Sequence, residues 1–335
     1  MSEQFINLSF EKRRDFIIEA TRALNRNEAV LEKDIWVCWA LEVLFKLELP
    51  MVFKGGTSLS KVYGAIRRFS EDLDITIDHK ASADPIHDPL SVNVSNNKRR
   101  EFSERMQQYT LSQVLEVIKP HFERHAQGLP ITKLEVATSG DQLLIAYETS
   151  SQNPYLLPNI KLEFGARNAI TPSELHLVKP DVLAWSIAAQ LEFPSAVVPV
   201  LLAERTFWEK VTLIHAEITR RNAKSKLERY SRHWYDLAQL AQSSIGAKAL
   251  TRLDLRDHVI QTKTALFGVA GVNYEIIARG ECKLVTQDEF NTALEQDYRA
   301  MNDAGMFDGT PPTWANILET LATLEKQINT PITTT

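Results

Sequence analysis

Apolar residues recur along this chain with two periods, one near 3.6 and one of two, and the switch between them marks out its elements. Residues 9–26 and 28–47 carry the helical period, the second with a stripe through Ile35, Trp36, Trp39, Leu41 and Leu44. Pro50 ends that run, and Met51-Val52-Phe53 begin a strand. A short helix is expected over 58–66 and an alternating strand over 72–78. Residues 79–97, rich in Pro, Asp, Asn and Ser, read as a loop, and 97–126 as a long helix. ITKLEVATS and QLLIAYETS, joined by Gly140-Asp141, form a hairpin pattern, and NIKLEFGAR is a further strand. VVPVL, residues 197–201, is expected at a sheet edge, because its proline cannot donate to a ladder. From Leu202 onward the pattern is helical, over 202–221, 231–242, 247–266, 287–303 and 313–328. The expected class is therefore α+β: a mixed β-sheet with flanking helices over 1–200, then a helical lobe over 201–335.

At 335 residues the chain exceeds what one core usually serves, since cores stop growing at ~250–300 residues. No run approaches the roughly 18 apolar residues of a membrane helix, and MSEQFINLSFEKRRDF has no signal-peptide core, so a cytoplasmic protein is expected. Cys38 and Cys282 are too far apart in sequence for a metal knuckle and too few for a disulfide framework. The formal net charge of −5 argues against a surface wholly given to nucleic acid. It leaves room for local basic strips at Lys98-Arg99-Arg100 and from Thr219 to Arg232, each equally readable as a solvated face.

The stretch FKGGTSLSKVYGAIRRFSEDLDITID, residues 53–78, concentrates the candidate chemistry. Alternation puts Asp72, Asp74, Thr76 and Asp78 on one strand face and Leu73, Ile75 and Ile77 on the other. Neighbouring same-face carboxylates repel, and a hard cation such as Mg²⁺ or Mn²⁺ offsets that repulsion. Gly55 and Gly56 let a ligand approach the backbone, and Thr57 and Ser58 fall where a helix start favours an anion. Together these parts can hold a nucleoside triphosphate. The alternative is a strand-to-helix turn with a hydroxyl cap beside an amphipathic strand. The P-loop spacing is absent. In NIKLEFGAR, Glu163 can share the acidic face as third metal ligand or general base, or simply be exposed beside Lys161.

In LLAERTFWEKVTLIHAEITRR, Lys210 points ~70° from the centre of the apolar stripe, equally able to snorkel or to reach a phosphate. In SRHWYDLAQL, Ser231 is the expected N-cap, and Asp236 reads as half of an i,i+4 surface pair with Arg232.

Gly-Gly-Thr-Ser followed, after a short helix, by Asp-x-Asp resembles the nucleotidyltransferase superfamily typified by DNA polymerase beta. The set EKDIWVCWAL, FKGGTSLSKVYGAIRRFSEDLDI, IKLEFGAR, ERTFWEKVTLIHAE and SRHWYDLAQL resembles the AbiEii/AbiGii toxin family, with its MenT relatives, over residues 28–242. The resemblance implies a polymerase-beta-like core, completed by the helical domain. Gly56, Ser58, Asp72 and Asp74 match the family's first motif, with Thr57 interposed. Lys210 matches its essential lysine and Asp236 its downstream aspartate. Lys33 and Asp34 match a Lys-Asp pair. The activity implied by the resemblance is nucleotide transfer from an NTP, with Mg²⁺ or Mn²⁺, onto the 3′ end of tRNA, by a toxin with a cognate antitoxin (a protein or a kinase) in phage defence. The alternatives are transfer to a protein or small molecule, or a non-catalytic nucleotide-binding defence module. Ser70 is a candidate control point, because a phosphate there would repel an incoming triphosphate. His121 and His125, at i,i+4, have no third ligand at metal spacing, and His215 and His233 are read as structural before functional.

Overall fold

A computed structural model of the chain describes residues 3–70, 72–149, 151, 156–220, 229–285 and 289–330. The chain divides into two compact units, one comprising Met1–Val62, Phe69–Pro85 and Glu104–Leu201, the other Tyr63–Arg68, Ile86–Ser103 and Leu202–Thr335.

The first unit opens with two helices whose starts are fixed by side chains. Ser9 caps α1 (Phe10–Leu24) by accepting from the Lys12 amide, and Asn27 caps α2 (Glu28–Leu44) through the Ala29 and Val30 amides. Asn25, left-handed at φ 50°, ends α1. Nearly every residue of α2 is buried, on all sides rather than along one stripe. Its Glu32, Lys33 and Asp34 are therefore interior groups. Each has a partner: Thr149 donates to Glu32, Lys33 Nζ donates to the Leu157 carbonyl (2.9 Å), and Asp34 accepts from Lys61 Nζ (2.6 Å) and the Asp181 amide (2.7 Å).

β1 (Met51–Lys54), α3 (Gly55–Lys61) and β2 (Asp72–Ile77) follow. The expected 97–126 helix is α4 (Asn96–Ser112), a π-helical turn at Gln113–Ile118 and α5 (Lys119–His125); residues 104–125 belong to this unit. Then come β3 (Ile131–Val136), β4 (Gln142–Tyr147), β5 (Asn159–Gly165), β6 (Ser173–Val178) and β7 (Ala196–Leu201). Among the described residues these strands make one seven-stranded mixed sheet in the order β3-β4-β5-β2-β1-β7-β6. β2 runs parallel to β5 and β1 parallel to β7, while the remaining neighbours are antiparallel. The mixed sheet with flanking helices is as the sequence led one to expect.

VVPVL is not an edge. β7 lies between β1 and β6, and the edge is β6, which the periodicity did not reveal. Proline is tolerated because β7 pairs with β1 only at Phe53↔Val200, so the strand is edge-like on that side as far as Pro199.

The second unit is helical: α6 (Ala203–Thr219), α7 (Arg232–Ala241), α8 (Ser244–Thr251), α9 (Leu253–Leu266), α10 (Glu289–Asp303) and α11 (Trp314–Asn329). The expected 247–266 helix is two, divided at Arg252. Of the stripe Phe207, Val211, Ile214 and Ile218, the first three are buried and Ile218 is half-buried; Trp208 and Trp234 are buried too, and their indole N–H groups donate to the Ala249 and Leu284 carbonyls. Ser231 does not cap α7; its hydroxyl donates to Asp297. The segment Tyr63–Arg68 joins this unit through an antiparallel bridge between Arg68 and Phe307 and a 2.9 Å bond from the Asp308 amide to the Arg67 carbonyl.

Candidate active site

The chemistry-bearing residues fall in two groups, one in each unit. In the first unit, α3 begins at Gly55, three residues before the sequence placed it. Gly55 sits at φ 81°, a conformation that side chains disfavour. A Cβ there would lie 1.9 Å from Asp74 Oδ2, so glycine is required on steric grounds as well. Gly56 is half-buried in the same turn. Thr57 and Ser58 lie inside the first turn and are fully buried. The Thr57 hydroxyl donates to the Asp72 carbonyl and tethers α3 to β2. The Ser58 hydroxyl donates to the Gly55 carbonyl (2.9 Å), so its proton is spent within the turn.

Register brings the acids together. Across β2 and β5, Asp72 pairs with Lys161 and Asp74 with Glu163; Lys54 pairs with Asp74 from β1, and Gln142 with Glu163 from β4. Paired residues share a sheet face, so two lysines, three carboxylates and an amide form one polar patch over an apolar underside. Lys161 Nζ lies 3.2 Å from Asp72 Oδ1 and 2.9 Å from Glu163 Oε1, and Gln142 Nε2 donates to the same Glu163 oxygen at 3.0 Å. Half-burial pulls the Lys161 ammonium down, but the bond to Glu163 and the charge of Asp72 hold its pKa above the ordinary lysine value.

The donor chemistry of Asp72 and Asp74, hard oxygens at neighbouring same-face positions, fits a divalent cation. Among the described residues, however, no three His, Cys, Asp or Glu side chains are gathered as a metal cluster. Glu163 shares the face but is engaged by Lys161 and Gln142.

In the second unit Asp236 is fully buried, which overturns its reading as a surface partner of Arg232. Arg68 grips it with both arms of its fork, Nε to Oδ1 and Nη2 to Oδ2, each at 2.7 Å, and Lys210 Nζ donates to Oδ2 at 2.8 Å. Burial alone would raise the Asp236 pKa; the two cations outweigh it and hold the group well below the carboxylate range. Lys210 is also buried, not marginal, and desolvation lowers its pKa despite Asp236. His233 is pushed well below the histidine range by burial and by Lys210 and Arg232. With both its oxygens bonded, Asp236 orients Lys210 and Arg68. The trio carries two positive charges against one negative, an arrangement suited to an anion.

Arg68 escaped the sequence reading. The signal was present in Arg67-Arg68 just ahead of the acidic strand, but nothing local ties that pair to a residue 168 positions later. Ser70 is buried, so modification there would need local opening. The basic strip Thr219–Arg232 lies mostly outside the described residues. His121 Nε2 contacts the Val43 carbonyl (2.9 Å), and His215 contacts the Asn273 carbonyl and Lys283 amide, both structural roles.

The family model described as "Nucleotidyl transferase AbiEii toxin, Type IV TA system" matches residues 39–320. Among solved structures, JHP933 from Helicobacter pylori is similar at 16% identity and TM-score 0.45, covering 91% of this chain and 94% of that one. The nucleotidyltransferase toxin MenT4 from Mycobacterium tuberculosis H37Rv is similar at 18% identity and TM-score 0.43, covering 93% and 97%. No curated protein matches the chain.

Proposed function

The chain belongs to the AbiEii nucleotidyl transferase toxin family, and from that premise we propose that it moves a nucleotide from an NTP to the 3′ end of tRNA, releasing pyrophosphate and halting growth until an antitoxin relieves it. The observation that carries the reading is the register of β2 with β5, which sets Asp72 and Asp74 on one face with Glu163, against the glycine turn.

Asp72 and Asp74, with Glu163 beside them, are the residues that would hold a Mg²⁺ or Mn²⁺ ion. Such an ion, when bound, neutralises phosphate charge and favours attack on the α-phosphorus. Glu163 is assigned to the attacking hydroxyl, accepting its proton as the new phosphodiester bond forms and the bond to pyrophosphate breaks. The glycine turn at Gly55 and Gly56, packed against Asp74, is assigned to the nucleotide; the bound state of the Ser58 hydroxyl makes that serine a support for the turn. Lys210 and Asp236, which match the family's lysine and downstream aspartate, are assigned to the reaction as well. The setting proposed is cytoplasmic phage defence; no helix among the described residues is long and apolar enough to cross a membrane.

Purified protein incubated with each labelled NTP, Mg²⁺ and total tRNA tests this. The expected result is label on tRNA, lost in Asp74→Ala and in Lys210→Ala. Label on a protein or small molecule instead would move the acceptor elsewhere, and no transfer to any acceptor would defeat the assignment.

A further inference from the structure

The acidic face already contains a cation. Lys161 pairs with Asp72 across the parallel β2–β5 ladder, and its ammonium bridges Asp72 Oδ1 (3.2 Å) and Glu163 Oε1 (2.9 Å). The two acids belong to different strands, so no single-strand pattern reveals the bridge. Gln142 adds a neutral donor at Glu163, fixing that carboxylate from β4 as well. The ammonium thus occupies carboxylate oxygens that a metal held there would use.

We propose that Lys161 is a positioning residue that serves as a resident counter-ion: it holds Asp72 and Glu163 in place before metal arrives, competes with the divalent ion for them, and restricts the face to a single ion. The inference rests on the proposed reading of this face as the metal site. A lysine is suited to the task because its flexible stem lets a compact charge withdraw without moving the strand. Removing the charge takes one cation away from Asp72 and Glu163, and their attraction for a divalent ion rises.

The test is Mn²⁺ binding to the full-length protein by isothermal titration calorimetry, with no nucleotide present. Wild type is expected to bind one Mn²⁺. Lys161→Gln is expected to bind Mn²⁺ about tenfold more tightly, in line with the one-to-three-unit effect of an adjacent opposite charge on a carboxylate. Lys161→Arg, which keeps the charge, should stay within about twofold of wild type on the same grounds. Melting temperatures of the variants, compared with wild type, separate an electrostatic change from misfolding; Lys161→Arg remains interpretable if the glutamine variant unfolds, because Mn²⁺ affinity much tighter than wild type in it would overturn the proposal. Lys161→Gln affinity equal to or weaker than wild type would overturn it too. Asp74→Asn separates the two readings: if it abolishes Mn²⁺ binding while Lys161→Gln changes nothing, the counter-ion role alone falls. If no form binds Mn²⁺, the metal site and the counter-ion role fall together.

Discussion

The acidic face of the sheet and the buried trio of the helical unit are built from the same side-chain types in opposite proportions. The face sets Asp72, Asp74 and Glu163 against Lys54 and Lys161 on paired strands, all half-buried except Asp72, which is buried. The trio sets Arg68 and Lys210 against Asp236, sealed from water. One is short of positive charge, the other of negative charge. Asp236 has two cations and is saturated, whereas the acids of the face share theirs, which is what the proposed metal site requires.

The sharpest way to break this comparison is to empty the trio. Asp236→Ala removes the buried carboxylate that both cations bind and is expected to cost about 3–5 kcal/mol, read from urea unfolding at pH 7. A loss below ~1 kcal/mol, the range of exposed pairs, would mean the cluster is solvated and the contrast with the sheet face unreal. Because its folded pKa is depressed, Asp236 contributes stability above the ordinary carboxylate pKa, and that contribution disappears only as pH falls far into acid.

Glu32 sharpens the comparison from the other side. It is a buried acid whose bonded partner is a hydroxyl, Thr149, with Arg13 acting only at a distance; burial pushes its pKa up to about 7. A carboxyl raised on folding binds protons that the unfolded chain has already lost, so stability falls as pH rises from the ordinary glutamate value toward 7. Glu32→Gln should therefore gain roughly 2–3 kcal/mol at pH 8 and almost nothing at pH 4, as measured by paired urea titrations. Equal effects at both pH values would show that cation supply does not govern this site.

The smallest expected change in stability is Gly55→Ala. Its left-handed backbone adds about 1–2 kcal/mol of strain. The new methyl must also displace the Asp74 carboxylate, so Mn²⁺ affinity is expected to fall with stability. Unfolding and titration calorimetry together check it; intact metal affinity would uncouple the glycine turn from the acids.

The acidic face was legible because alternation is local: DLDITID and NIKLEFGAR each announce which side chains share a side. What joined them, the β2–β5 register, is non-local and left no mark on either segment. The helical wheel misjudged Asp236 and Lys210 because it scores one helix at a time. Asp236 is instead bonded by a guanidinium far back in the chain, and a charge can be buried when it is paired. Resemblance supplied those two positions where periodicity had left them open. The start of α3 was misplaced for the converse reason: glycines read as loop, yet here the left-handed Gly55 begins the helical turn. VVPVL was assigned to an edge from its proline, without knowing that β1 would touch it at one register point.

The pairing of Asp74 with Glu163 spans 89 positions, and that of Phe53 with Val200 spans 147, both between parallel strands. Such contacts form late, because a long intervening stretch must first be synthesised and closed into a loop. While the ribosome is still extending the chain, the aspartates have only β1 beside them, and the glutamate that completes their row has yet to emerge. The order of synthesis thus delays the assembly of this surface until about half of the protein has been made.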